Sequence, residues 1–281
     1  MKKYLVVGNP INHSLSPKLQ NYWLKKYNIN ATYEKKLLEK EDLKKIIEDV
    51  KERKIQGINI TVPFKSEIYK ILMEDPNSEV SSTVEKTKSV NTVYLNKNGN
   101  IFGDNTDVEG FVKSLRNIKY KAAGKVAFVL GAGGVVPSIL HALDTLKIGH
   151  VFISNRTREK AEEMSSRFIG SEIINWGEAP IRHKPDLIIN CTSLGLENNE
   201  TLNLNFKKFK PRFFFRKRLF YDVIYNPPLT NFLKEAKNMG NNIENGKMMF
   251  IYQAAAAFKA WHGIQPIINS VNEEVLTLLN D

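Results

Sequence analysis

From residue 125 onward the chain repeats one pattern, a short apolar run followed by a turn and an amphipathic helical stretch. The runs 126–130 (Val-Ala-Phe-Val-Leu), 151–154 (Val-Phe-Ile-Ser) and 187–190 (Leu-Ile-Ile-Asn) show no alternation of polar and apolar residues. A strand with one wet face alternates, whereas a strand apolar along its length is covered on both faces. The helical stretches 135–146 and 159–168 lie between these runs and can supply that cover. Strands and helices in this order predict a parallel sheet in a doubly wound α/β domain. A further strand at 219–223, helices at 229–239 and 247–261, and an apolar segment at 267–279 follow.

The first hundred residues read as a second α/β unit. A strand is expected at 4–7 and a helix at 17–27, with Ser16 as its N-cap and Pro17 in its first turn. A strand at 32–37 is followed by a helix at 40–53 that sets Leu43, Ile46, Ile47 and Val50 on one face. The strand 57–62 is stopped by Pro63, and segments 89–95 and 100–102 form a hairpin through Asn96-Lys-Asn-Gly99. With 281 residues the chain has room for roughly one to two domains of about 100–200 residues each. It shows no internal repeat and no low-complexity linker.

Charge narrows the partners less than the strands narrow the fold. Lys and Arg number 41 against 30 Asp and Glu, a net charge of +11. That excess suits a nucleic-acid binder, a membrane-surface protein or an enzyme with anionic ligands. The single cysteine, Cys191, lies in an apolar run and has no partner for a disulfide or a zinc site, which fits a reducing compartment. The apolar run after Met1-Lys2-Lys3 ends at Gly8-Asn-Pro10, too soon for a secretion signal. No uncharged apolar stretch approaches the roughly 18–20 residues needed to span a bilayer, so a cytoplasmic protein is expected.

The strand 126–130 runs into Gly131-Ala132-Gly133-Gly134 and then a helix, an order that aims backbone N–H groups at a phosphate. The third glycine of the dinucleotide fingerprint is replaced by Val136, and Pro137 follows. A bare tight turn between strand and helix has the same local pattern. The next strand ends at Ser154-Asn155-Arg156-Thr157, where an NAD-binding domain usually places a carboxylate for the ribose hydroxyls. Arg156 instead offers a planar donor fork, with Thr157, Arg158 and Lys160 nearby, which favours NADP(H). Basic side chains at a helix N-terminus oppose its dipole, so an anion bound there explains them.

A second polar set is spread over the first half: Asn12-His13-Ser14-Leu-Ser16, Asn59-Ile-Thr61, Lys65, Asn91-Thr92 and Asp104-Asn-Thr-Asp107. Each group is read at the C-terminal end of a strand or in the loop after it, the edge where open α/β sheets bind ligands. Singly, each has a local alternative: Ser16 as an N-cap, Asn91 in a hairpin, Asp107 capping a helix at 108–115.

Taken together, Ser14-Leu-Ser16-Pro17, Asn59-Ile-Thr61-Val-Pro-Phe-Lys65, Val90-Asn91-Thr92, Gly103-Asp-Asn-Thr-Asp107, Gly131-Ala-Gly-Gly134, Asn155-Arg156-Thr157, Tyr221-Asp222-Val-Ile-Tyr225 and Gln253-Ala-Ala255 resemble the shikimate dehydrogenase family over nearly the whole chain. The resemblance implies a cytoplasmic NADP-dependent oxidoreductase acting on a CH–OH group. Its reaction is the reversible reduction of 3-dehydroshikimate to shikimate in chorismate and aromatic amino-acid biosynthesis. It implies Lys65 and Asp107 as the catalytic pair. Ser14 and Ser16 are expected on the substrate carboxylate with Tyr225 closing over it, and Asn59, Thr61, Asn91, Asp107 and Gln253 on the rest of the substrate. For the cofactor it implies Gly131, Ala132, Gly133, Gly134 and Val135 at the pyrophosphate and Asn155, Arg156, Thr157 and Lys160 at the 2′-phosphate. Thr192 and Ser193 fall near the ribose, and Val223 and Gly246 at the nicotinamide. A substrate domain of residues 1–106 completed by 246–281 and an NADP-binding Rossmann domain of 107–245 are expected, with the active site in the cleft between them, no metal, and a monomer or homodimer.

Two alternatives stay open at this point: a broader quinate/shikimate dehydrogenase, and a catalytically silent NADP-sensing or nucleic-acid-binding protein. The second draws on residues 206–218, where seven Lys or Arg interleave with five Phe. That run is expected to connect two elements of the cofactor domain, phenylalanines inward and lysines solvated, and a nucleic-acid partner is not expected. His13 is read as a scaffold residue and Cys191 as a buried strand-end residue rather than a nucleophile.

Overall fold

The computed structural model describes residues 1–168, 170–180, 183–197, 202, 204–211, 217–268, 275, 277 and 279. Most of the apolar segment read at 267–279, and residues 212–216 of the basic run, lie outside the described residues. The chain divides into two compact units, Met1–Gly110 with Ile251–Asp281, and Phe111–Phe250.

The first unit contains β1 (Lys2–Gly8), α1 (Ser16–Lys26), β2 (Ala31–Leu37), α2 (Leu43–Lys51), β3 (Gly57–Ile60), α3 (Lys65–Glu74), β4 (Glu79–Val80), α4 (Ser82–Thr87), β5 (Thr92–Leu95) and β6 (Ile101–Asp104). Its sheet has the order β2-β1-β3-β5-β6-β4. Strands β2, β1 and β3 are parallel, β5 runs against both β3 and β6, and β4 is parallel to β6. From Tyr4 onward β1 is apolar and buried, because both faces are covered. Leu5 and Val7 point into a cluster with Leu43, Ile46, Ile47 and Val50 of α2 and Ile68 and Leu72 of α3. Tyr4 points the other way, its ring 5.0 Å from that of Trp261 on α9 (Lys247–His262). Trp23 of α1 meets Phe258 of the same helix edge-on at 5.7 Å.

Several local expectations need correction. Ser16 is the first residue of α1 rather than its N-cap; Leu15 holds that position without a side-chain cap. The helix read at 40–53 is a 3₁₀ turn, Lys40–Asp42, closed by a reciprocal Glu39–Asp42 capping box, followed by the shorter α2. The strand read at 57–62 ends at Ile60, where the chain turns and the Phe64 N–H donates to the Thr61 carbonyl. The helix read at 108–115 begins earlier, as α5 (Thr106–Asn117), so Asp107 lies within its first turn. Helices α3 and α4 and strand β4 were not read at all, although Phe64, Ile68 and Leu72 at helical spacing carried the signal for α3.

The second unit contains β7 (Val126–Leu130), α6 (Val136–Thr145), β8 (His150–Ser154), α7 (Arg158–Arg167), β9 (Ser171–Ile173), β10 (Leu187–Asn190), β11 (Leu219–Asp222), α8 (Asn231–Asn238) and β12 (Asn242–Glu244). Strand order is β12-β11-β10-β7-β8-β9 with every neighbour parallel. The chain works outward from β7 through β9, then crosses to β10 and works outward on the other side, the doubly wound order of a Rossmann domain. One face packs Phe128, Phe152, Ile188 and Phe220 against Phe209, Phe232 and Leu233. On the other, Tyr221 meets Phe111 of α5 at 4.9 Å and shares a 2.9 Å hydrogen bond with Ser114.

In the described part of the basic run, Phe209 is buried and Phe206 packs against Phe220 and Phe232, while Lys207, Lys208 and Lys210 are exposed. The two compact units divide inside α5, at 110/111, and inside α9, at 250/251. Periodicity marks where a helix begins, not which unit each of its turns packs against. Among the described residues no helix is long and apolar enough to cross a membrane.

The covering of the first sheet by α9 sets a steric limit at Gly57. A Cβ there would lie 2.5 Å from Trp261 Nε1 and 2.9 Å from two further ring atoms. Gly57→Ala is expected to cost about 1–3 kcal/mol in urea unfolding through overpacking; unchanged stability would show that the indole moves freely.

Candidate active site

In the first unit one sheet edge collects the polar set. Register pairs Val7 with Ile60, Asn59 with Thr92 and Thr92 with Asp104, so the residues after β1, β3 and β6 and the residue before β5 stand at one level. Asn91 thus enters its strand from this edge instead of leaving one, which only the antiparallel course of β5 allows.

At the centre of this edge Lys65, the first residue of α3, and Asp107 of α5 form an ion pair of 2.6 Å, with 8% and 6% of their surfaces exposed. Charges so enclosed are held only where other polar groups complete their hydrogen bonding. Asn91 supplies this: its amide donates to Asp107 Oδ1 at 2.9 Å and to Thr106 Oγ1 at 3.0 Å. Its Oδ1 accepts from the Thr106 N–H at 2.8 Å and from the Thr92 hydroxyl at 2.9 Å. Asn59 donates to the Asn91 carbonyl and to Thr92 Oγ1, both at 3.1 Å. The Asp107 N–H is received by Asn105 Oδ1 at 3.1 Å. Thr92, Asn105 and Thr106 thus belong to the set although the sequence reading assigned them no role.

The serines lie at the start of α1. Ser16 is buried and its N–H donates to Ser14 Oγ at 3.3 Å. Gln20, one turn further along α1, donates to the Ala254 carbonyl at 3.0 Å, which ties α1 to α9 beside Gln253. Thr61 is half-buried directly after β3, and His13 is exposed in the loop before α1.

In the second unit the expected cofactor residues gather at the C-terminal ends of β7, β8, β10 and β11. Gly131 has φ +110°, and a Cβ there would lie 3.0 Å from the Cys191 carbonyl, so the turn after β7 lies against the loop after β10. A Cβ on Gly134 would meet nothing within 4 Å, leaving the turn open at the head of α6. Val136, in place of the third glycine, is fully buried as the first residue of α6. Asn155 Nδ2 donates to the Thr157 carbonyl at 2.7 Å. Arg158 is held by Glu162 and Asn175 at 2.9 and 2.6 Å. Arg156 and Lys160 are exposed and have no carboxylate partner among the described residues. Two free cations beside an open glycine turn fit a cofactor carrying a phosphate beyond the pyrophosphate.

A buried hub shapes the rest of this edge. Asp222 accepts from Thr230 Oγ1 at 2.6 Å, the Ile224 N–H at 3.0 Å and Asn190 Nδ2 at 3.1 Å. Asn190 Oδ1 in turn accepts from the Thr192 hydroxyl and N–H at 2.7 and 3.0 Å. The Thr192 hydroxyl therefore serves the loop, while Ser193 is exposed. Gly246 donates its N–H to the Ile224 carbonyl, and a Cβ there would lie 2.1 Å from the Val223 carbonyl oxygen, so only glycine permits this approach. Tyr225 stacks on Phe250 at 4.5 Å. Cys191 is buried and its thiol is pushed well above its ordinary range by burial, which removes it as a nucleophile. No group of His, Cys, Asp and Glu among the described residues could hold a metal ion.

A family model described as the shikimate dehydrogenase substrate binding domain matches residues 6–93, and one described as shikimate / quinate 5-dehydrogenase matches residues 113–216. The shikimate dehydrogenase (NADP(+)) of Pelagibacter ubique is 50% identical over 279 residues, covering 99% of each chain. The crystal structure of shikimate dehydrogenase from Aquifex aeolicus is similar with a TM-score of 0.87 at 34% identity, over 100% of this chain and 98% of that one. Shikimate 5-dehydrogenase from Thermus thermophilus, solved in complex with NADP(H) and shikimate, gives a TM-score of 0.84 at 30% identity, over 99% of this chain and 100% of that one.

Burial raises the Asp222 carboxyl from 3.8 to about 6 against the three hydrogen bonds that oppose the shift. Between those values the folded protein holds a proton that the unfolded chain has released. The stability from this group is therefore full below pH 3.8 and is lost as pH rises through about 6. The loss amounts to about 3 kcal/mol at neutral pH. Asp222→Asn removes this dependence: in urea unfolding at several values from about pH 4 to 8, the wild type loses about 3 kcal/mol relative to the variant. Parallel pH profiles would exclude a carboxyl raised in this way.

Proposed function

Because the chain belongs to the shikimate dehydrogenase family, we infer that it catalyses the reversible NADPH-dependent reduction of 3-dehydroshikimate to shikimate, a step of chorismate and aromatic amino-acid biosynthesis. The observation that carries this reading is the buried Lys65–Asp107 pair at 2.6 Å, set in a polar network on the ligand-binding edge.

NADPH, when bound, supplies the hydride. As negative charge develops on the carbonyl oxygen, the Lys65 ammonium stabilises it and donates a proton from Nζ. In the reverse direction Lys65 takes the hydroxyl proton. Asp107 orients Lys65, and the Asn91 amide on Oδ1 keeps the other oxygen turned to Lys65. Ser14 and Ser16 present hydroxyls to the substrate carboxylate, with Tyr225 on the same side. Thr61, Asn91, Asp107 and Gln253 hold the ring hydroxyls, with Asn59 behind them bonded to Asn91 and Thr92.

For the cofactor, Gly131 to Val135 receive the pyrophosphate. Asn155, Arg156, Thr157 and Lys160 receive the 2′-phosphate, with the absence of a carboxylate at this strand end supporting NADP(H) over NAD(H). Thr192 and Ser193 adjoin the ribose, and Val223 and Gly246 the nicotinamide. The buried free thiol of Cys191 is compatible with the reducing cytoplasm, where such a pathway enzyme is proposed to act.

Mixing the protein with shikimate and NADP⁺ is expected to produce NADPH absorbance; no turnover in either direction would sink the reading. Lys65→Ala is expected to lower kcat by about 10²–10⁴-fold with a smaller change in KM, and near-wild-type turnover would remove Lys65 from acid–base chemistry. Arg156→Ala should raise KM for NADP⁺ far more than for NAD⁺; an equal effect on both would show that this guanidinium does not read the 2′-phosphate.

A further inference from the structure

We propose that Tyr33 and Thr92 are positioning residues for the Lys65–Asp107 pair, an inference that rests on the reaction assigned above. Neither touches that pair. They act through the two side-chain amides that lie between them and the carboxylate.

Tyr33 lies on β2, two strands away from Asn59, and its ring reaches across so that the hydroxyl donates to Asn59 Oδ1 at 2.7 Å. The Asn21 side chain brackets the Tyr33 backbone, donating to its carbonyl at 2.8 Å and accepting from its N–H at 3.0 Å. The tyrosine is thus anchored from behind. Both N–H groups of Asn59 then point forward, one to the Asn91 carbonyl and one to Thr92 Oγ1. Having accepted from Asn59, the Thr92 hydroxyl spends its single proton on Asn91 Oδ1 at 2.9 Å. The Asn91 amide is left with its N–H groups on Asp107 and Thr106. Donors and acceptors follow one another in one direction from Tyr33 to the carboxylate, with no position at which two donors or two acceptors meet.

The chain is closed to water. Thr92 has no exposed surface, Tyr33 has 2% and Asn91 has 3%. A hydroxyl removed here is not replaced by solvent: an Asn59 N–H loses its acceptor, and Asn91 Oδ1 is held from the Thr106 side alone. An Asn91 amide braced from one side shifts its N–H relative to Asp107 Oδ1, and the carboxylate then loses the contact that fixes its other oxygen on Lys65. Thr92→Val keeps the shape and deletes the hydroxyl; Thr92→Ser keeps the hydroxyl and deletes a methyl group. Tyr33→Phe makes the same deletion at the far end of the chain.

The test measures the single-turnover rate of NADPH formation from shikimate, the steady-state KM for NADP⁺ and the melting temperature for the wild type and these variants. Thr92→Val is expected to slow the single-turnover step about 10-fold or more, since small misplacements of a reacting group cost up to about 10²-fold. KM for NADP⁺ stays within twofold of wild type by the same reasoning, about the scatter of such measurements. Thr92→Ser restores most of the rate, and Tyr33→Phe slows the step in the same sense by a smaller factor.

A folded Thr92→Val protein with the wild-type rate would overturn the proposal, as would a Thr92→Ser protein as slow as the valine variant. If Thr92→Val does not fold, Tyr33→Phe decides alone: a slowed step with KM for NADP⁺ unchanged supports the proposal, and an unchanged rate overturns it. Wild-type protein that does not oxidise shikimate would instead refute the assigned reaction, an outcome visible before any variant is made.

Discussion

A lysine and a carboxylate enclosed together at 2.6 Å impose conditions on everything around them. Removing either partner of such a pair leaves an uncompensated buried charge and costs about 3–5 kcal/mol. Keeping both requires polar partners nearby. The first unit supplies them on the carboxylate side, by spending polar side chains that its core would otherwise exclude. Asn59, Asn91, Thr92, Asn105 and Thr106 are all nearly without exposed surface, and all of them bond to one another or to the pair. The strands that carry them therefore have to arrive at one level, and the mixed course of β3, β5 and β6 is the solution the chain adopts.

The second unit solves a different problem with a similar device. Its buried carboxylate is turned inward on the loops at the sheet ends. Asp222 and Asn190 hold the chain after β10 and β11 from beneath. Among the basic residues after β8 the work is divided. Arg158 braces helix α7 through Glu162, whereas Arg156 and Lys160 have no carboxylate partner among the described residues. Charge counting treats these three residues alike; only their partners separate a structural cation from one available to an anionic ligand. The same holds for the lysines at 207, 208 and 210, which are solvated over a phenylalanine core.

How much of this was readable depended on how far a residue's partners lie along the chain. Apolar runs such as Val126–Leu130 and Leu187–Asn190 declare themselves, because burial on both faces leaves a local signature. The glycine turn does too, since Gly131 needs a positive φ directly after a strand. Edge strands β9 and β12, three residues each and partly polar, leave no such signature. Lys65 and Asp107 both fall in the polar set, but only the resemblance to a family pairs them; a separation of 42 positions says nothing of a contact. Ser16 as an N-cap was a sound local inference overtaken by the preceding loop, in which Leu15 already has helical backbone angles. Tyr33 and Thr92 are a residue of a polar strand and a residue of an apolar one, and nothing short of the three-dimensional pairing brings them into one chain of hydrogen bonds.

The reversal of β5 has one more implication, for which parts of the chain can change in length. In an all-parallel sheet the ligand edge is supplied by residues that leave strands, and each return segment reaches its next strand from the far side. Here the segment between β3 and β5, which contains α3, β4 and α4, starts at Thr61 and ends at Asn91, both on the ligand edge. It departs from the site and comes back to it. A change of length in it has to be absorbed between two ends that are both fixed at the site, at Lys65 and at Asn91. The Asn96-Lys-Asn-Gly99 turn, at the opposite edge, is under no such constraint. The hairpin tip can accordingly change in length without moving Lys65 or Asn91, while the much longer connection is tied to the active site at both of its ends.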